Sequence, residues 1–170
     1  MSVDKGDERR ARSTLEGSAK VALRAELQAQ LTEMLATARI AHASAVEGAT
    51  HSEAKAENDK DTRGLEQSYI ARGQAQRVAD LEAAVADVEK MQLKPCSAVA
   101  MSALVTVEEE GDERRYFVAP HGGGNTLAND IHVVTLSSPI GKALLGKRAD
   151  DEVELRLAGK VRAIVITRVV

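Results

Sequence analysis

Glu53, Glu57 and Asp61 stand at successive four-residue steps, with Asp59 between the last two. If one helix carries them, four-residue spacing places their Cβ atoms about 5 to 6 Å apart along one face. A row of carboxylates is a donor set for a divalent ion. Magnesium takes one or two protein carboxylates and fills its shell with water and phosphate oxygens, so an isolated row binds it weakly and needs a partner to complete the site. The competing reading is a solvated helix start, where acids also favour the positive end of the helix dipole. Charge singles out the same stretch. The formal net charge is -3, and Glu47 to Asp61 alone holds five acids against Lys55 and Lys60. So small a net charge does not indicate a polybasic nucleic-acid grip overall.

Other chemistry-bearing patterns are weaker. Gly141 to Lys147 has the spacing of a phosphate-cradling loop, but Arg148 stands where the magnesium-binding Ser or Thr belongs. A helix end capped by Gly146 is the better reading. His121 with Gly122, Gly123 and Gly124 has no nucleophile elbow elsewhere in the chain to serve, and reads as a mobile hairpin connection. His42, His51, His121 and His132 lack metal-ligand spacing. Ser52 and Lys55 form an S-x-x-K pair without its companion motifs. Cys96, the sole cysteine, cannot form an internal disulfide and reads as a buried or linker thiol beside Pro95.

The elements that must position the acids follow from composition and periodicity. With 170 residues, 44% hydrophobic, 29% charged and only Tyr69, Tyr116 and Phe117 as aromatics, the chain favours long helices over a large core. Leu27, Leu31, Met34, Ala38, Ala41 and Ala45 recur at steps of three and four, the seam of a helix packed lengthwise on another. Ser13 with Glu16 and Thr50 with Glu53 are spaced as capping boxes, and Gly48 marks an end between them. Leu65, Tyr69, Val78, Leu81, Val85 and Val88 continue a second helix, so that two rods joined by a short turn run antiparallel. After Pro95 the pattern becomes strand-like: 98–107 and 114–119 as a hairpin, 131–136, a short helix opened by Ser138 and Pro139, and a final hairpin of 152–157 and 160–169. The reading is an α+β chain: a long N-terminal antiparallel coiled-coil α-hairpin followed by a small antiparallel β domain with one short helix. Its divisions are 1–12 as a flexible N-terminus, 13–92 as the hairpin with an acidic tip near 47–61, 93–97 as a linker and 98–170 as the β domain. No stretch of the sequence suits a membrane span or a signal peptide, so a cytoplasmic protein without a membrane partner is expected.

Thr135, Leu136, Ser137, Ser138, Pro139, Ile140, Gly141, Lys142, Ala143, Leu144, Leu145, Gly146, Lys147 and Arg148, followed by Asp150, Asp151, Glu152, Val153 and Glu154, carry a family signal. They closely resemble the C-terminal signature of the bacterial Gre transcript-cleavage factors, with Asp150 standing where that signature has Gly. The architecture, a coiled-coil hairpin before an FKBP-like β domain, is similar over nearly the whole chain. The resemblance implies a monomeric transcription elongation factor, not itself an enzyme, that binds RNA polymerase and meets the nascent RNA 3′ end indirectly. It implies that Ser138, Pro139, Ile140 and Lys142 lie near the polymerase contact. It also implies that Glu53 and Glu57 serve catalysis in the polymerase's own cleavage of backtracked RNA. Glu53, Glu57, Asp59 and Asp61 would then share a magnesium ion with the polymerase, none being tightly bound by the chain alone. Aligning Glu57 and Asn58 with the family's Glu-Asn pair leaves Glu53 near the family's Asp, with one extra residue between. The alternatives are a Gre-like regulator or inhibitor of the secondary channel that does not stimulate cleavage, and a prolyl isomerase or chaperone module.

Overall fold

In a computed structural model of the chain, the described residues are 5–53, 63–157 and 160–170. They form α1 (Lys5–Glu53), α2 (Arg63–Lys90), β1 (Leu104–Glu109), β2 (Asp112–Val118), β3 (Thr126–Leu127), β4 (Ile131–Val134), α3 (Pro139–Leu144), β5 (Glu152–Leu157) and β6 (Lys160–Val169). A 3-10 turn, Ala128–Asp130, joins β3 to β4. The long α-hairpin followed by a β domain is the architecture read from the sequence. The chain divides into two compact units, Ala29–Ala86 and the combination of residues up to Gln28 with Asp87–Val170.

In the helical unit, Leu31, Leu35, Ala38 and Ala45 of α1 are buried together with Leu81 and Ala84 of α2. Arg39 Nη2 meets Glu82 Oε1 across the pair at 2.8 Å. The seam differs in detail from the sequence reading. Leu35 takes the place expected for Met34, which is 39% exposed, and Leu65 and Tyr69 are 58% and 65% exposed. A four-three pattern in an Ala-rich helix fits two adjacent faces, and the larger buried area of Leu35 decides between them.

The expected helix boundaries need correction. α1 opens at Lys5, not Ser13, and passes through Gly48 and Thr50 to Glu53. Thr50 is therefore no N-cap; its Oγ1 donates to the carbonyl of Val46 at 2.9 Å, a bond available only inside a helix. Gly48 is not a terminator but a point of close approach. A methyl placed there would lie 3.2 Å from Gln67 Oε1 on α2. The premise that Glu53 opens the second helix fails too, since Glu53 is the last residue of α1.

In the other unit the six strands form one sheet in the order β3-β4-β2-β1-β6-β5. All pairs are antiparallel except β2 with β4, which run parallel. The sheet is thus mixed, not wholly antiparallel. A parallel pair needs a crossover, not a hairpin turn, and residues 119–130 supply it. This corrects the reading of His121 to Gly124 as a hairpin connection. The loop is fixed by bonds from Gly124 N–H to Val133 O (3.0 Å) and from Asn125 N–H to Gly122 O (3.0 Å). The β1–β2 turn is tighter than expected, two residues with Glu110 at φ 54 and Gly111 at φ 92, the positive pair that hairpin twist requires.

One face of the sheet, with Val105, Val107, Tyr116, Val118, Val153, Leu155, Ile164 and Ile166, packs over Leu144 of α3 as a continuous core. Phe117, next to Tyr116 on β2, points to the other face by strand alternation and is fully buried there. Residues of α1 and of the α2 end hold to the same unit by polar contacts. Glu26 accepts from the Ala128 N–H with both carboxylate oxygens (2.9 and 3.1 Å), Arg24 Nη1 donates to Met91 O (3.1 Å), and His121 Nε2 meets Asp87 Oδ2 (2.8 Å). Among the described residues no helix is long and apolar enough to cross a membrane.

Candidate functional site

The stretch from Thr135 to Glu154 folds as a turn, the short helix α3, a capped exit and the start of β5. Each of its characteristic residues has a local physical cause. Ser138 is the N-cap of α3: its Oγ accepts from the Gly141 N–H at 3.1 Å and donates to the Thr135 carbonyl at 2.7 Å. Pro139 follows at N1, where its missing N–H costs nothing and its fixed φ suits the first turn. Gly141 is required by space. A Cβ there would fall 2.0 Å from the Thr135 oxygen. Leu144 is fully buried in the sheet core.

The exit is equally determined. Gly146 sits at φ 76, the left-handed conformation common just past a helix end, and its N–H donates to Val99 O at 2.8 Å. The Lys147 carbonyl accepts from the Val99 N–H at 2.7 Å, tying the exit to the segment before β1 from both sides. This geometry closes the phosphate-loop reading in favour of a helix C-terminus. Asp151 Oδ2 accepts from the Arg148 N–H at 2.8 Å. Asp150 adopts φ 71, a region that glycine enters freely and that Asp tolerates better than most residues. Its N–H still donates to Ile166 O at 2.7 Å. The departure from glycine at this position therefore leaves the turn intact.

With the scaffold residues accounted for, the outward face remains. Pro139, Lys142 and Arg148 are exposed, Leu145 is 50% exposed, and Ile140 is half-buried against the core. Beside them lies an open groove of about 460 Å³, lined in part by Tyr116, His132, Ser138, Pro139 and Ile140. The Tyr116 and His132 rings lie 6.2 Å apart along its wall. Phe117, on the opposite face, contributes nothing to it, so the groove has one aromatic carbocycle, not the aromatic pocket an isomerase would need. Of the residues expected at a polymerase contact, the structure gathers all four around α3. Ser138 serves largely as a cap, and Pro139 and Lys142 are the exposed ones. Leu145 and Arg148 were not singled out from sequence; they lie inside the signature, where only the fold separates buried positions from displayed ones.

The expected metal and catalytic residues lie elsewhere. Glu53 closes α1. Its side chain, and Glu57, Asp59 and Asp61 altogether, lie outside the described residues. Among the described residues no three or more His, Cys, Asp or Glu side chains converge as a metal site.

The segment that builds this face matches a known domain: residues 94–169 fit the family described as "Transcription elongation factor, GreA/GreB, C-term". Residues 94–169 are thus a C-terminal domain of the GreA/GreB type. Gre-family factors act with RNA polymerase. No curated protein matches the sequence. Among solved structures, GreA factor homolog 1 (Gfh1) of Thermus thermophilus is 18% identical, covering 84% of this chain and 94% of that one at a TM-score of 0.38. Gfh1 of Thermus aquaticus is 21% identical over 82% and 91% of the two chains, at 0.39. A GreA/GreB factor of Nitrosomonas europaea is 20% identical over 61% and 91%, at 0.35. The likeness to the family lies in the C-terminal domain.

Proposed function

We propose that this Gre-type factor binds RNA polymerase through the face around α3 and presents the distal end of its hairpin to the polymerase's secondary channel. There it stimulates the polymerase's own cleavage of backtracked RNA. The observation that carries the docking half is the division of labour in the signature. Ser138, Gly141, Leu144 and Gly146 are consumed by folding, while Pro139, Lys142, Leu145 and Arg148 are held outward on a rigid turn. An aliphatic residue flanked by cations on a fixed scaffold suits recognition of an apolar, acid-rimmed protein surface.

The cleavage half rests on the acids. Glu53, Glu57, Asp59 and Asp61 are hard oxygen donors, the chemistry magnesium selects, and they would hold the ion jointly with polymerase carboxylates. When bound, such an ion polarises a phosphate and lowers the pKa of a coordinated water. Glu53 stands at the carboxyl end of α1, where the helix dipole opposes a negative charge by about 0.3 to 1 kcal/mol. A cation arriving at that end relieves the opposition.

One observation favours a second reading, a channel regulator without cleavage. The tip departs from the family pattern by Glu53 in place of Asp and by one added residue before Glu57. A backtracked elongation complex with purified polymerase separates the two. The expected result is RNA shortening by the wild type and at least about tenfold less with Glu53→Ala or Glu57→Ala, the scale of losing one charge-stabilising group. Equal shortening by all three removes these residues from the mechanism, and reduced synthesis with no shortened RNA selects the regulator. Independently, Lys142→Glu combined with Leu145→Asp is expected to weaken polymerase binding at least about tenfold while leaving stability nearly unchanged. Unaltered binding would move the interface away from α3.

A further inference from the structure

The small cavity where the early part of α1 meets the segment leading into β1 contains two reactive groups that docking and cleavage leave unused. Its volume is about 160 Å³, and Lys20, Cys96, Leu93, Pro95 and Val169 contribute to its walls. Lys20 is only 3% exposed, although it is a lysine. Its Nζ donates to the Lys94 carbonyl at 2.7 Å and lies 3.9 Å from Cys96 Sγ. The Cys96 thiol donates to the same carbonyl at 3.3 Å, so one backbone oxygen holds amine and sulfur side by side.

Burial lowers the proton affinity of the Lys20 amine below that of an ordinary lysine, against the opposing pulls of Cys96 and Glu16. The amine nitrogen and the thiol sulfur, 3.9 Å apart, are within reach of one another by side-chain rotation. The cavity is several times the roughly 30 Å³ that a water occupies in the liquid, which leaves room for a small oxidant.

We propose that Lys20 and Cys96 form a peroxide-triggered sulfenamide cross-link. In the first step the Cys96 thiolate attacks hydrogen peroxide. The oxygen–oxygen bond breaks, hydroxide leaves and takes up a proton as water, and the sulfur becomes a sulfenic acid, oxidised by the two electrons that reduce the peroxide. In the second step the Lys20 Nζ lone pair attacks that sulfur. The sulfur–nitrogen bond forms, the sulfur–oxygen bond breaks, and the hydroxyl leaves with a proton from nitrogen as a second water, with no further oxidant. A sulfenic acid is known to condense with nitrogen in this way, and an amine already held beside the sulfur has the proximity advantage over further oxidation. The product covalently ties α1 to the segment that follows α2, and a thiol reductant reverses it by attacking sulfur and releasing the amine.

The experiment uses the full chain, treated with hydrogen peroxide and measured by intact mass and by sequencing of linked peptides. The expected result is a monomer lighter by about 2 Da, with a bond between the peptides carrying Lys20 and Cys96 that dithiothreitol removes. The same treatment in urea should yield at least about tenfold less cross-link, because proximity is lost. Lys20→Arg keeps a cation but lacks a free amine, and should trap the sulfenic acid for dimedone labelling. The proposal is overturned by wild-type protein that gains oxygen as sulfinic or sulfonic acid without linked peptides. It is equally overturned if the wild type forms only disulfide dimers, labels with dimedone as strongly as Lys20→Arg, or cross-links as well unfolded as folded. The wild-type readouts stand whether or not the variant folds.

Discussion

Replacing Gly141 with alanine tests the structural account of the signature at one atom. The added methyl would sit 2.0 Å from the Thr135 carbonyl oxygen and 2.8 Å from its carbon, both backbone. Ordinary contact lies near 3.5 Å, so something must move by roughly 1.5 Å. The Thr135 oxygen is also the acceptor for both the Ser138 N–H and the Ser138 hydroxyl, so displacing it loosens the cap of α3. Overpacking costs about 1 to 3 kcal/mol, and two weakened hydrogen bonds add about 1 each. The better helix propensity of alanine returns about 1. The net loss is about 2 to 4 kcal/mol, a fall of at least about 4 °C in the calorimetric transition of this unit. Gly73→Ala is the control. It makes the same chemical change inside α2, where nothing lies within 4 Å of the new methyl, and should stabilise by about 0.5 to 1 kcal/mol. If each variant changes the stability of its own unit alike, the close approach at Thr135 does not exist and the explanation of the glycine is wrong.

Ser138→Ala should cost about 1 kcal/mol in denaturant unfolding through loss of the N-cap, and Ser138→Asp, which restores an acceptor for the Gly141 N–H, should recover part of it. A polymerase-binding defect in both variants with normal stability in both would instead make Ser138 a contact. Gly48→Ala places its methyl 3.2 Å from the end of the flexible Gln67 side chain, which can swing away. Helix propensity should win, stabilising the helical unit by up to about 1 kcal/mol. A clear loss of helicity by circular dichroism would instead locate a backbone approach at that level.

The hairpin and its β domain were legible because their signals are periodic or local. Apolar steps of three and four announced the two helices, and Ser138–Pro139 announced α3, since a cap and an N1 proline act within one turn. The final hairpin followed from two β-rich runs around Ala158 and Gly159, and the strands β5 and β6 pair antiparallel as read. Helix ends were less legible. Thr50 with Glu53 has capping spacing, yet the same hydroxyl is satisfied inside a helix by the Val46 carbonyl, and the choice depends on what packs beside it. The parallel pairing of β2 with β4 was invisible as well, because strand direction is set by the crossover, not by the residues paired.

For the candidate site, sequence alone determined the family signature, the short capped helix within it and the concentration of acid near residues 47–61. Those are one-dimensional properties, written in residue type and spacing over a few turns. Only the tertiary structure decided which signature residues are spent on folding and which face outward. Gly141 and Gly146 read alike as letters, yet one answers to a carbonyl 2.0 Å away and the other to a left-handed φ. It also decided that Lys20 and Cys96, 76 positions apart, share one carbonyl oxygen. Burial and proximity between distant residues are properties of packing, and no local pattern encodes them.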